Sequence, residues 1–126
     1  MIRFQLIGET PAKKNVNKFN TKTRHVYKDA HFQKWHSDAM MQILPQKQIC
    51  NIGTAISSPV VISIDFYHGD YIRRDSDNQL ASIMDLLKDA NILADDNWYI
   101  ARQQHVRNFY EKNNARCVIE IELYRD

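Results

Sequence analysis

Arg73, Arg74, Asp75, Asp77, Asp95 and Asp96 are the residues of this chain whose types and spacing suit metal-dependent chemistry. Two carboxylates about 4 Å apart repel by roughly 4 kcal/mol at an effective dielectric of about 20. A site that gathers three or four of them needs a cation or a proton to relieve that repulsion. Ligands that are all oxygen, with no accompanying His or Cys, suit Mg²⁺, with Mn²⁺ as a substitute, rather than zinc. An EF-hand calcium loop starting at Asp75 would require Gly where Leu80 stands and Glu where Leu86 stands. Arg73 and Arg74 beside such a cluster point to a polyanionic substrate, because a guanidinium grips phosphate bidentately.

The elements around these residues must position them. Leu80, Ile83, Met84, Leu87 and Ala90 recur at helical spacing and predict an amphipathic helix between the two aspartate pairs. Asp77 or Asn78 is the expected cap at its start, and Asn91 the expected stop. About a dozen residues make a rod on the order of 18 Å long. The pairs at its ends meet only if the chain turns back after the helix, or if a second subunit supplies one pair. Upstream, Val60, Ile62, Ile64 and Phe66 alternate with Ser63 and Asp65, a strand that delivers the Arg73–Asp77 loop at its C-terminal end. Asp70, beside Gly69, is expected to shape a turn.

Elsewhere, Ile2, Phe4 and Leu6 alternate with polar residues, so 2–7 reads as a strand ended by Gly8 and Pro11. Asn15, Asn17 and Asn20 favour turns, and Val26-Tyr27 suits a short strand. Asp29 can cap a helix carrying Phe32, Trp35, Ala39 and Ile43 on one face, with Pro45 expected to end it and 46–58 read as a loop. Trp35 lies in the apolar stripe and reads as core. A polar strand through Ile100, Arg102, Gln104 and Val106 leads to Asn113-Asn114, expected to turn a hairpin into a closing strand of Cys117, Ile119, Ile121 and Leu123. The five histidines lack metal-pair spacing and read as surface or core residues. This order predicts an α+β fold: a small mixed sheet of about four strands, with two helices packed on one face.

Length fits one domain over residues 1–126, and the 44% hydrophobic content is enough for a core. The net charge is only +2, yet it is segregated. Lys13, Lys14, Lys18, Lys22, Arg24 and Lys28 fall in a stretch without acids, so that segment carries +6 and the remainder −4. Such segregation suits a protein that holds DNA on one surface and metal on another. Two cysteines imply no disulfide framework. Neither a membrane span nor a signal peptide is visible, so cytoplasmic residence is the default expectation.

The run Arg-Arg-Asp-Ser-Asp-Asn at 73–78, followed by Asp85, Leu87 and the Asp95-Asp96 pair, resembles the RusA family of Holliday junction resolvases. Gly8, Pro11, Lys13, Lys14 and Val26-Tyr27 fit that family more loosely. The resemblance implies a homodimeric, Mg²⁺-dependent endonuclease, bacterial or phage-encoded, that nicks four-way DNA junctions symmetrically in recombination and repair. It assigns metal binding and catalysis to Asp75, Asp77 and Asp96, with Asp95 nearby. On this reading Arg73, Arg74, Lys13, Lys14, Lys18, Lys22 and Arg24 contact DNA. One departure stands out: well-studied members carry a lysine important for cleavage where this chain has Ala81. The alternative expectation is therefore a junction-binding protein with weak or absent cleavage.

If five or six cations of the Lys13–Lys28 segment contact phosphates, log affinity falls against log salt with a slope near about −5. The double substitution Lys13→Ala and Lys14→Ala should flatten that slope by about two units. An unchanged slope in a salt titration would assign both lysines to solvent.

Overall fold

The computed structural model describes residues 1–12, 17–20, 25–28 and 30–126, without the side chains of 17–20 and 25–28. In chain order the elements are β1 (Ile2–Ile7), β2 (Asn17–Asn20), β3 (His25–Lys28), α1 (Ala30–Ile49), β4 (Val60–His68), α2 (Ser76–Asp89), β5 (Ala101–Tyr110) and β6 (Arg116–Leu123). Alternation builds the main sheet. Phe4, Leu6, Ile62, Ile64, Phe66, Cys117, Ile119 and Ile121 are all buried, and a period of two puts them on one face. Ala39 and Ile43 of α1 and Ile83, Met84, Leu86 and Leu87 of α2 close over that face in one core, with Trp35 packed at its margin. The fold is α+β, a four-stranded mixed sheet with both helices on one side, as the periodicities predict.

The strand order is β1-β6-β4-β5; β4 and β5 run parallel, and the other neighbours antiparallel. A parallel pair cannot be joined by a tight turn, so α2 serves as the crossover between β4 and β5. The start of α2 therefore lies at the C-terminal end of β4, and its end lies near the start of β5. β2 and β3 form a separate two-stranded antiparallel ladder. The Val26-Tyr27 strand is present as β3, while β2 stands where asparagines predict turns. Among the described residues no helix is long and apolar enough to cross a membrane.

Three expectations need correction. Asn113-Asn114 does not close a hairpin: β5 and β6 lie on opposite sides of β4. The turn instead wraps the end of β4, with Glu111 N–H donating to the His68 carbonyl (2.9 Å) and Asn113 N–H to the Gly69 carbonyl (3.1 Å). A Cβ on Gly69 would come within 3.3 Å of the Ala115 nitrogen, so glycine suits this crossing. Asn113 takes a left-handed conformation, φ 56°, which fits its turn chemistry but says nothing about which strands pair.

Pro45 does not end α1, which continues to Ile49, so the first part of the expected 46–58 loop is helical. Tertiary bonds hold the last turns. Gln5 N–H donates to Gln46 Oε1 (2.9 Å), Gln46 Nε2 donates to the Gln5 carbonyl (2.8 Å), and Ile7 N–H donates to Gln42 Oε1 (2.7 Å). These glutamines cover the open edge of β1, and that gain offsets the helix bond that proline deletes. The N-cap of α2 is Asp75, with no side-chain capping bond, rather than Asp77 or Asn78. Asn91 does adopt the left-handed conformation expected just past the helix, φ 55°. The cap expected at Asp29 lies outside the described residues.

Candidate active site

At the C-terminal end of β4 the chain is clamped. Arg74 Nη1 donates to Asp70 Oδ1 (2.7 Å), and Ile72 N–H donates to the same oxygen (3.0 Å), so Asp70 does shape a turn. The Arg74 side-chain hydrogen bond holds the Asp70 carboxyl below the usual carboxylate range. A depressed pKa means that this clamp is fully present above the unfolded value and is lost as pH falls through the folded one. Arg74 also lies 3.3 Å from Glu9, which follows β1. Glu9 accepts from Gln79 Nε2 (2.9 Å) and pairs with His68 Nδ1 (3.0 Å). The other face of His68 meets Asn108 Oδ1 through Nε2 (2.8 Å), and Asn108 Nδ2 donates to Ser76 Oγ (2.9 Å) at the first turn of α2. One polar network thus ties the ends of β1, β4 and β5 to the start of α2.

Asp75 and Asp77 sit on that braced platform and are exposed. Asp77 accepts the Asn78 N–H (3.0 Å) within the first helical turn, where the helix dipole favours negative charge. Beside them a cleft of about 560 Å³ is lined by Glu9, Thr10, His31, Arg73, Arg74 and Asp75 among others. Arg73 is exposed, whereas Arg74 is largely engaged by its two acidic partners.

Asp95 and Asp96 occupy the other end of α2. Leu93 N–H donates to the Leu87 carbonyl (3.2 Å), and Leu93 bridges to Ile56 just ahead of β4. Asp96 N–H donates to Asp95 Oδ1 (2.8 Å), Asn97 Nδ2 donates to Asp95 Oδ2 (3.1 Å), and Lys88 Nζ lies 4.0 Å from Asp95. The Asp96 N–H first, with Lys88 and Asn97 adding, keeps the Asp95 carboxyl ionised to lower pH than usual. The 14 residues of α2 make a rod about 20 Å long. Asp75 and Asp77 therefore lie at the start of that rod, and Asp95, with Asp96 next to it, lies beside Lys88 near its end.

Among the described residues, the side chains that do fall within 4.8 Å as a group of metal-capable ligands are His36, Asp85 and Asp89. His36 Nε2 lies 2.9 Å from Asp89 and 3.8 Å from Asp85, linking α1 to α2. Lys13, Lys14, Lys22 and Arg24 lie outside the described residues, as does the side chain of Lys18.

A family model described as Endodeoxyribonuclease RusA matches residues 9–122. The chain belongs to the RusA family. Its sequence resemblance over Arg73–Asp96 is thereby extended to most of the chain, and its activity class is that of a nuclease. A search of curated proteins gives no match. For a RusA-family chain, the braces Glu9, His68 and Asn108 are what sequence reading missed. They come from three separate strand ends, and no local spacing signals their meeting.

Glu9→Ala should destabilise the fold by about 1–3 kcal/mol, because it strips a partner from the buried Gln79 amide and from His68 and Arg74 together. Urea denaturation reads this directly, and Glu9→Gln should recover part of the loss. A loss below about 0.5 kcal/mol for the alanine variant would mean that the network does not brace the loop.

Proposed function

We propose that this chain is a Mg²⁺-dependent endonuclease that resolves four-way DNA junctions by paired nicks, as one nuclease domain acting in a two-fold dimer. The observation that carries the dimer is the separation of Asp75 and Asp77 from Asp95 and Asp96 along α2. A two-fold axis that sets the start of α2 in one protomer against its end in the partner brings both pairs together, twice. Two equivalent sites are what symmetric cleavage of a junction requires.

The donor set fits the ion. Asp75, Asp77 and Asp96 offer oxygen alone, and no ion pair among the described residues engages them. Oxygen ligands of this kind suit a hard cation that keeps several waters. Mg²⁺ bound there would lower the pKa of an attacking water and neutralise the leaving oxygen. The chain's own groups do the positioning. Asp75 and Asp77 hold ligand oxygens in place on the braced first turn of α2. Asp95 keeps its charge beside Asp96 through the Asp96 N–H. Arg73, with the basic 13–28 segment, binds the DNA backbone without reading sequence.

A second reading is a junction-binding protein with weak cleavage. It rests on Ala81, which is exposed on α2 one turn beyond Asp77 and brings no cation to the phosphate. The wild-type protein separates the two readings. A chain that binds junctions tightly yet leaves them unnicked in Mg²⁺ would favour the second.

Asp77→Asn should abolish Mg²⁺-dependent nicking while junction binding is kept or strengthened, since the variant removes a negative charge that both holds metal and repels phosphate. Gel assays of nicking and mobility shift on one four-way junction measure both. Undiminished nicking would remove Asp77 from the metal site.

A further inference from the structure

We infer that Tyr71 and Tyr110 form a stacking platform for an unpaired nucleobase of the strand held at the Asp75 end of α2; this rests on the nuclease reading above. The two rings stack with centroids 4.1 Å apart and planes inclined by 24°. Tyr71 is 82% exposed and Tyr110 44%. One ring therefore steadies the other while leaving an aromatic face open to water. Tyr110 pairs with His68 in the β4–β5 ladder, and alternation puts it on the same face of β5 as Asn108, whose amide reaches Ser76. The platform thus stands on the α2 side of the sheet, beside the braced loop.

Position and charge select the occupant. Tyr71 precedes Asp75 by four residues, a reach of at most about 14 Å, or about four base steps at roughly 3.4 Å each. Arg73, exposed, lies between them in sequence and can hold the intervening backbone. Bases within a duplex are stacked on both faces and offer nothing to a tyrosine ring. Bases at a strand exchange point are the ones whose faces come free, and base–aromatic stacking tolerates any sequence. The platform would favour branched over linear DNA without reading bases.

The test measures affinity for a four-way junction and for linear duplex, with Ca²⁺ replacing Mg²⁺ so that no strand is cut. Tyr71→Ala and Tyr71→Leu should each weaken junction binding by about five- to a hundredfold, leaving duplex binding and the salt slope unchanged. Tyr71→Phe and Tyr71→Trp should bind as wild type, and sedimentation should find every variant dimeric. Full junction affinity in Tyr71→Ala overturns the platform, as does equal weakening toward duplex. Loss of the dimer would overturn it by assigning the rings to the subunit interface. A leucine variant that binds like phenylalanine overturns stacking in favour of plain apolar contact. Wild-type protein that binds no DNA overturns the nuclease reading itself, a result distinct from all of these.

Discussion

The parallel pairing of β4 with β5 is the constraint on which the rest depends. Parallel neighbours require a crossover, and here the crossover is α2. The helix buries Ile83, Leu86 and Leu87 completely against the sheet, so it cannot tilt away to bring its ends together. Whatever chemistry the four aspartates perform must therefore be reconciled with a rigid rod that keeps two of them at each end. The proposed dimer would resolve this geometry by supplying from one protomer what lies out of reach in the other.

The two ends are built differently. The Asp75 end is braced by charge and hydrogen bonding across three strands, through Glu9, His68, Asn108 and Arg74. Arg74 is committed to that brace, which leaves Arg73 as the exposed cation of the arginine pair. The Asp95 end is held locally, by backbone bonds from the turn to the last helical residues and by the Asp96 N–H. A locally held turn keeps its shape independently of the remote clamp, which suits the role proposed for it at a partner protomer's site.

Much of this was legible in the sequence because burial imposes periods. Val60 to Phe66 and Leu80 to Ala90 announce a strand and a helix, since only those geometries put the apolar members on one face. The aspartates and arginines stood out as candidates by type and spacing, and the need for either a returning chain or a second subunit followed from helix length. Within the protomer α2 runs unbroken from Ser76 to Asp89, and Asp95 stays beside Lys88 near its end. What could not be read is long-range. Asn113-Asn114 marks a turn, but a turn does not name its pairing partners. Pro45 marks a helix end only where no tertiary bond sustains the next turn, and Gln46 supplies one from β1. Glu9 and His68 are 59 residues apart in sequence, so no window contains both.

The most direct measurement mixes two inactive chains. Asp77→Asn and Asp96→Asn homodimers are each prepared, then mixed under conditions that exchange subunits, and nicking of a four-way junction is followed in Mg²⁺. If each site draws Asp77 from one protomer and Asp96 from the other, the mixed dimer holds one site with both defects and one with none. Activity should then reappear, as single-strand nicks rather than paired ones. If each site lies within one chain, every site in the mixture keeps a defect, and a mixture as inactive as its parents despite verified exchange would contradict the account.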